Sequence, residues 1–378
     1  MALRRQSPDG TRLLTTGVPK NSTMTDESTV RVGVVGLGGI ARHHADRLSE
    51  TGAELVGGMD VDAEARESFA ETYGVETYSD AARLYERADA VLITTPNRFH
   101  EEYAVGALEA GLDVLLEKPL AHSVESAERI ADAAAAADGF LMAGFNNRFA
   151  PPIEVLHSRI QRGDLGDVRH VEANYVRRRG IPGRGSWFTS EAVAGGGALI
   201  DIGVHAVDLA LYVLGFPEVI EVSGVTRAEF GGREEYSYLD MWGEDDGPEA
   251  FDVEDSATAF VRLGDGRTIS LEAAWAVNRP PTQEFFVRGT DGGALFDKAD
   301  GELSLFEAGV DGAPHFADTT VRTREGDAHR AEQETFLAAV REGSPPDRNT
   351  VTQALTVQRV LDAIYRSDER GEAVSLSE

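Results

Sequence analysis

Apolar positions in the first third of the chain recur in two alternating rhythms. Short apolar runs at residues 30–35, 53–60, 88–97, 112–119 and 139–147 suit buried strands. Between them, apolar residues fall three and four apart, as in "AEARESFAETYG", "FHEEYAVGALEAG" and "SVESAERIADAAAAAD", the spacing of one helix face. Strand and helix alternate to about residue 150. That alternation predicts a doubly wound parallel sheet, because parallel neighbours need crossover helices that cover both faces. After Pro151 and Pro152 the rhythm changes. One helix is predicted at 153–162, then longer alternating runs at 168–178, 219–230, 256–263, 267–277 and 282–290, separated by turns such as "GDG" and "DGG". These predict a second, α+β domain over 151–378 with a large, open, mostly antiparallel sheet. A nearly apolar helix at 198–214 interrupts it, and two helices near 327–342 and 350–366 close the chain and are expected to pack back. Residues 1–29 show no period and are rich in Ser, Thr and Pro. They are expected to form a disordered leader, with Met24 an alternative start, ahead of a first domain at 30–150.

Composition narrows the function classes. There are 65 acidic against 36 basic residues, a net charge of −29. Such a surface repels nucleic acid and anionic membranes and suits a salt-rich cytoplasm. No apolar run is read as approaching the roughly 20 residues of a membrane span, and no secretory signal opens the chain, so a cytoplasmic location is expected. There are no cysteines, which removes thiolate chemistry and cysteine metal sites. No metal-ligand spacing of the "HExxH" kind occurs, and no metal is expected.

"GLGGIA" sets Gly36, Gly38 and Ala41 in a G-x-G-x-x-A spacing between a strand and a helix, with Gly39 and Ile40 inside it. The first glycine permits the tight turn, the second lets a pyrophosphate approach the backbone, and the small third residue lets helix and strand pack. Free amides at the helix start then meet the phosphates. Asp60, 19 residues beyond Ala41, ends the second strand. An acid there accepts hydrogen bonds from an adenosine ribose and repels a 2′-phosphate. This favours NAD, with NADP open because Arg42 or Arg66 could answer a 2′-phosphate.

Lys118, in "LLEKPL", is one of three lysines. It ends a strand, where ligands of such sheets bind, and an ammonium there can favour a developing alkoxide. On the apolar helix, Asp201, His205, Asp208 and Tyr212 fall within a stripe about 60° wide at 100° per residue, which suggests a polar cleft. His205 is the candidate proton acceptor. Asp201 could orient it or grip a substrate hydroxyl, while Asp208 and Tyr212 lie deeper as support.

"GLGGIARHH", "TTPNRFH", "EKPL", "GFNNRF" and "GGGALIDIGVHAVDL" together resemble the Gfo/Idh/MocA family of oxidoreductases over residues 30–366. The resemblance implies a Rossmann domain, an α/β partner domain that mediates homodimers or homotetramers through its sheet, and NAD(P)-dependent redox chemistry on a sugar, cyclitol or related polyol. It places the catalytic groups on Lys118, Asp201 and His205. The cofactor would lie along Gly36, Gly38, Gly39, Ile40, Asp60, Thr95, Pro96, Asn97, His100, Glu117 and Lys118. Asn146, Asn147 and Trp187 would join the catalytic groups around the substrate, with Arg177–Arg179 as further candidates; Asn147 stands where many members carry arginine, against an acidic substrate. Two other readings use the same groups: a glycosidase that uses NAD transiently, and a non-catalytic sensor.

Overall fold

The computed structural model describes residues 29–239 and 243–376. All of the expected leader but Thr29 therefore falls outside the described residues, as does the first of the three lysines, Lys20. The first sheet is built from β1 (Arg31–Val35), β2 (Glu54–Met59), β3 (Thr77–Tyr78), β4 (Ala90–Ile93), β5 (Asp113–Glu117) and β6 (Leu141–Gly144). Its helices are α1 (Gly39–Leu48), α2 (Ala63–Tyr73), α3 (Ala81–Tyr85), α4 (His100–Glu109) and α5 (Val124–Ala136). The strand order is β3-β2-β1-β4-β5-β6, all parallel. β4 and β6 are buried at every position, which is why they read as unbroken apolar runs. The strand order reverses between β1 and β4, and a crevice opens at their carboxyl ends.

The second half contributes α6 (Pro151–Gln161), β7 (His170–Val176), α7 (Glu191–Ala194), α8 (Val204–Val213), β8 (Val219–Arg227), β9 (Ser256–Leu263), β10 (Thr268–Ala274), β11 (Glu284–Arg288), β12 (Gly292–Asp297), β13 (Glu302–Gly309), β14 (His315–Val321), α9 (Ala328–Glu342), α10 (Val351–Arg370) and β15 (Val374–Ser375). The sheet has nine strands in the order β14-β13-β12-β11-β7-β10-β9-β8-β15, antiparallel except where β10 runs beside β7. It is larger than the periodicity predicts, since β12 to β14 carry no expectation from sequence. β14 is exposed or half-exposed throughout, so it shows no alternation to read. α8 and α10 cover one face, against β7, β10 and β8.

α9 returns to the first domain. Its Phe336, Leu337 and Ala339 share an apolar cluster with Val32, Leu37, Leu92 and Met142. The segment Glu191–Val213, 23 residues with a hydropathy of 1.4, is long and apolar enough to cross a membrane, contrary to the expectation that no run approaches that length. Its most apolar window is 89% buried inside the protein, as a core helix would be.

Candidate functional site

The glycine turn lies at the crevice. Gly36 has φ +86, and a Cβ there would stand 2.8 Å from the Thr95 amide, so a side chain is excluded twice over. Cβ atoms at Gly38 and Gly39 would meet nothing within 4 Å; their space is open for a ligand. α1 starts with no side-chain cap and no acid in its first turn, leaving its amides and positive dipole end for an anion. A cavity of about 600 Å³ adjoins this turn, lined by Gly36–Ile40, Asp60, Thr95, Pro96, Tyr103 and Trp187 among others. Thr95 Oγ1 is buried without a partner. A glycine cradle, free amides, an orphaned hydroxyl and an acid at the strand end fit a dinucleotide.

Asp60 braces the same turn. Its Oδ2 accepts from the Leu37 amide at 2.7 Å and its Oδ1 from the Asp62 amide at 2.9 Å. Arg42 is turned to Ser68 and Thr72, whereas Arg66 Nη1 holds the Asp60 and Val61 carbonyls. Asp60→Ala is therefore expected to weaken NADH by on the order of 10- to 100-fold, the worth of a hydrogen bond to a charged group, and NADPH much less. Fluorescence titration of both nucleotides checks this; equal losses would remove the ribose role.

His100, Asn97 and Glu117, expected along the cofactor, require correction, since none of them lines the nucleotide cavity. His100 is fully buried, with Nδ1 and Nε2 each 2.9 Å from the carbonyls of Pro119 and Thr95. It ties the Lys118–Pro119 segment to the Thr95 loop and does not line the cavity. Asn97 points into the domain junction, where Nδ2 donates to the Ala194 carbonyl at 2.8 Å. Trp187, expected at the substrate, lines both the nucleotide cavity and the small cavity of Lys118 and Asp201, with its ring 3.8 Å from that of Phe188. Glu117 turns to α1: His44 Nε2 lies 2.6 Å from its Oε1, and the Lys118 amide donates to Oε2. Burial raises the Glu117 carboxyl, but His44 and Lys118 outweigh it and bring it down to about 2.

Lys118 leaves the end of β5 and reaches the helix of the second domain. Its Nζ donates to the Asp201 carbonyl at 3.0 Å and to Oδ1 at 3.1 Å. Trp275 Nε1 donates to Oδ2 at 3.0 Å. Asp201 thus orients Lys118, not His205, correcting one of the two roles expected of it. Burial pushes its carboxyl up, yet Lys118, Arg177 and the Trp275 indole hold it below its ordinary value. His205 lies one turn on. Burial, Lys118, Lys298, His329 and Arg177 together hold its imidazole well below 6.5, so it is neutral at pH 7. Among the described residues it makes no hydrogen bond, and a lone pair is left to accept a proton.

A trough of about 700 Å³ is lined by Asn146, Asn147, Pro151, Phe296, Lys298 and Arg322 among others. Asn146 Nδ2 lies 3.3 Å from His329 Nδ1. Asn147 Nδ2 is buried without a partner. Arg177 joins the Asp201 cluster, while Arg179 is spent on the Arg178 and Val277 carbonyls and on Asn278.

The helix itself departs from the regular period. Leu199–Gly203 form a π-helical turn before α8, so 100° per residue does not hold there. The stripe divides into two sites. Asp201 and His205 face the cleft. Asp208 faces Arg148 in the core, Nε to Oδ1 and Oδ2 at 3.1 Å and Nη2 to Oδ1 at 2.5 Å, and Tyr212 stacks on His157 at 4.6 Å. The helix start is anchored by Glu254, which pattern reading misses. Its carboxylate takes the Gly197 and Leu199 amides, both at 2.8 Å, and its carbonyl takes that of Ala198, satisfying amides that an uncapped buried helix would leave orphaned. A Cβ on Gly197 would come within 2.0 Å of that carbonyl. Trp275, Lys298, His329 and Glu254 come from distant segments and carry no motif; only the scarcity of lysine could have drawn notice to Lys298.

Comparison with known proteins agrees with this architecture. The profile described as "Oxidoreductase family, NAD-binding Rossmann fold" matches residues 30–145, and the GFO/IDH/MocA C-terminal domain matches 153–295. The chain is 32% identical to D-glucoside 3-dehydrogenase of Escherichia coli (strain K12) over 94% of its own length and 99% of that protein. It is 31% identical to glucose-6-phosphate 3-dehydrogenase of Bacillus subtilis (strain 168) over 48% of its length and 53% of that protein. Levoglucosan dehydrogenase in complex with NADH and levoglucosan has the same fold, with a TM-score of 0.78 at 23% identity over 93% of this chain and 100% of that one. The chain belongs to the Gfo/Idh/MocA family of oxidoreductases.

Proposed function

We propose that the chain is an NAD(P)-dependent dehydrogenase, working with NAD, that oxidises the C3 hydroxyl of a glucopyranosyl substrate. The observation that carries this is convergence: a lysine fixed by an aspartate and a neutral, unbonded histidine meet at the domain cleft beside the nucleotide cavity. The carbon position is taken from the two relatives above, both named as 3-dehydrogenases.

When bound, the nicotinamide supplies the hydride acceptor. The protein's own groups do the rest. His205 accepts the hydroxyl proton as general base. Lys118 has three N–H groups and spends two on Asp201; the third is free to donate to the substrate oxygen and to stabilise its negative charge. Asp201, held by Trp275, keeps that ammonium in place. Asn146 and Asn147 offer amides to the remaining hydroxyls.

The test is a panel of methyl glucopyranosides, free sugars and cyclitols with NAD in high salt. NADH should accumulate in equal amount to a ketone that NMR places at C3. Glycoside cleavage without net NADH would overturn this in favour of transient redox, and cofactor binding with no turnover on any member would favour a sensor. We also read the acidic chain as a cytoplasmic protein that assembles through the uncovered sheet face, where Val225 and Phe260 are exposed.

A further inference from the structure

Of the three lysines, two lie within the described residues: Lys118 lines a small cavity with Asp201, and Lys298 lines the trough with Asn146 and Asn147. Lys118 is paired with Asp201. Lys298 is not paired: among the described residues no carboxylate lies within salt-bridge distance of it, and its Nζ makes no hydrogen bond to the protein. It is half-buried just beyond β12, and its main-chain amide is fixed to the Gln283 carbonyl at 2.9 Å. Its ammonium sits 5.1 Å from the centre of the Tyr175 ring, which Arg177 approaches at 5.7 Å. That ring lies 6.5 Å from the His205 ring, and Lys298 also lines the trough with Asn146 and Asn147. A ring face satisfies part of an ammonium's charge but none of its three N–H groups along a donor axis. A partly dehydrated cation with unused donors on the wall of the trough, one ring away from His205, lacks a partner that a hydroxylated ligand would supply.

Resting on the dehydrogenase reading above, we propose that Lys298 is a substrate-binding, specificity-determining residue: its ammonium donates to a hydroxyl neighbouring the carbon that is oxidised. A second consequence follows from its charge. The groups facing His205 are Lys118 and Asp201, Arg177 and Tyr175, Lys298, and His329. Removing one cation from this set lets the imidazole titrate higher.

Lys298→Met keeps the stem over Tyr175 and removes the donor. For a methyl glucopyranoside its KM should rise by on the order of 10- to 100-fold, the worth of a hydrogen bond from a charged group, with NADH affinity unchanged. The wild type should lose a similar factor on either the 2-deoxy or the 4-deoxy analogue, and the variant should no longer distinguish that analogue from the parent. Titration of the sugar into the NADH complex should show the same loss in Kd. The acid limb of kcat/KM should move to higher pH in Lys298→Met and return in Lys298→Arg. Should the methionine variant lose NADH affinity, Lys298→Gln carries the same comparison. Unchanged KM, unchanged deoxy discrimination and an unmoved acid limb in an active variant would overturn this inference alone, whereas absence of turnover by the wild type on every sugar would overturn the dehydrogenase reading beneath it.

Discussion

His205→Ala is expected to lower kcat by roughly 10²–10⁴-fold, the usual worth of a positioned general base, while NADH affinity stays within a factor of two or so of wild type, since nothing in the nucleotide cavity is touched. The pH profile gives the sharper signature. A general base works in its neutral form, so activity falls as pH drops through its pKa. Burial and the cations around His205 hold that pKa well below 6.5, which places the wild-type acid limb below the range of an ordinary histidine. The alanine variant should retain a low rate without that limb. Steady-state kinetics across pH, on the sugar that the wild type oxidises, checks both features. Near-normal turnover by the variant, or a wild-type limb above pH 7, would mean that His205 does not take the proton.

Legibility from sequence divides along physical lines. β4 and β6 are buried on both faces, and their unbroken apolar runs could be read directly. Gly36 must occupy positive φ against the Thr95 backbone, so the spacing of the glycine turn carried its own explanation. Lys118, Asp201 and His205 stood out as ionisable groups in apolar surroundings, and the structure brings them together. What escaped was direction. Asn97 and His100 lie in the segment expected to run along the cofactor, yet one side chain turns to Ala194 and the other inward between two carbonyls; a linear pattern does not say which side of a loop a side chain takes. Trp275, Lys298 and Glu254 reach the catalytic helix from segments 50 or more residues away, and only the folded sheet brings them there. The helical stripe is less regular than its pattern, although Asp208 and Tyr212 do lie deeper than Asp201 and His205. An even 100° step joined Asp201 to Asp208, and the π-turn at Leu199–Gly203 breaks that step.

That division makes Asp208 the place where chemistry and stability separate. Its partner Arg148 is wholly buried, with side-chain exposures of 0% and 1% for the pair. The guanidinium also donates to Gln353 Oε1 at 2.5 Å and lies about 5 Å from the rings of Phe145, Tyr212 and Phe216. Removing the carboxylate leaves a buried cation with aromatic faces and one amide oxygen, an arrangement that typically costs about 3–5 kcal/mol. Asp208→Ala is thus expected to lower unfolding stability by about that much, read from the denaturant midpoint, while the molecules that remain folded keep the wild-type acid limb of kcat/KM. Replacing both partners, Asp208→Leu with Arg148→Met, should recover most of the loss, because no charge is then buried and the hydrophobic pair fills similar volume. Loss of the His205 limb in Asp208→Ala would assign the carboxylate to the proton path. A stability change under about 1 kcal/mol would show that the pair, for all its burial, holds little of the junction between α8 and the loop that follows β6.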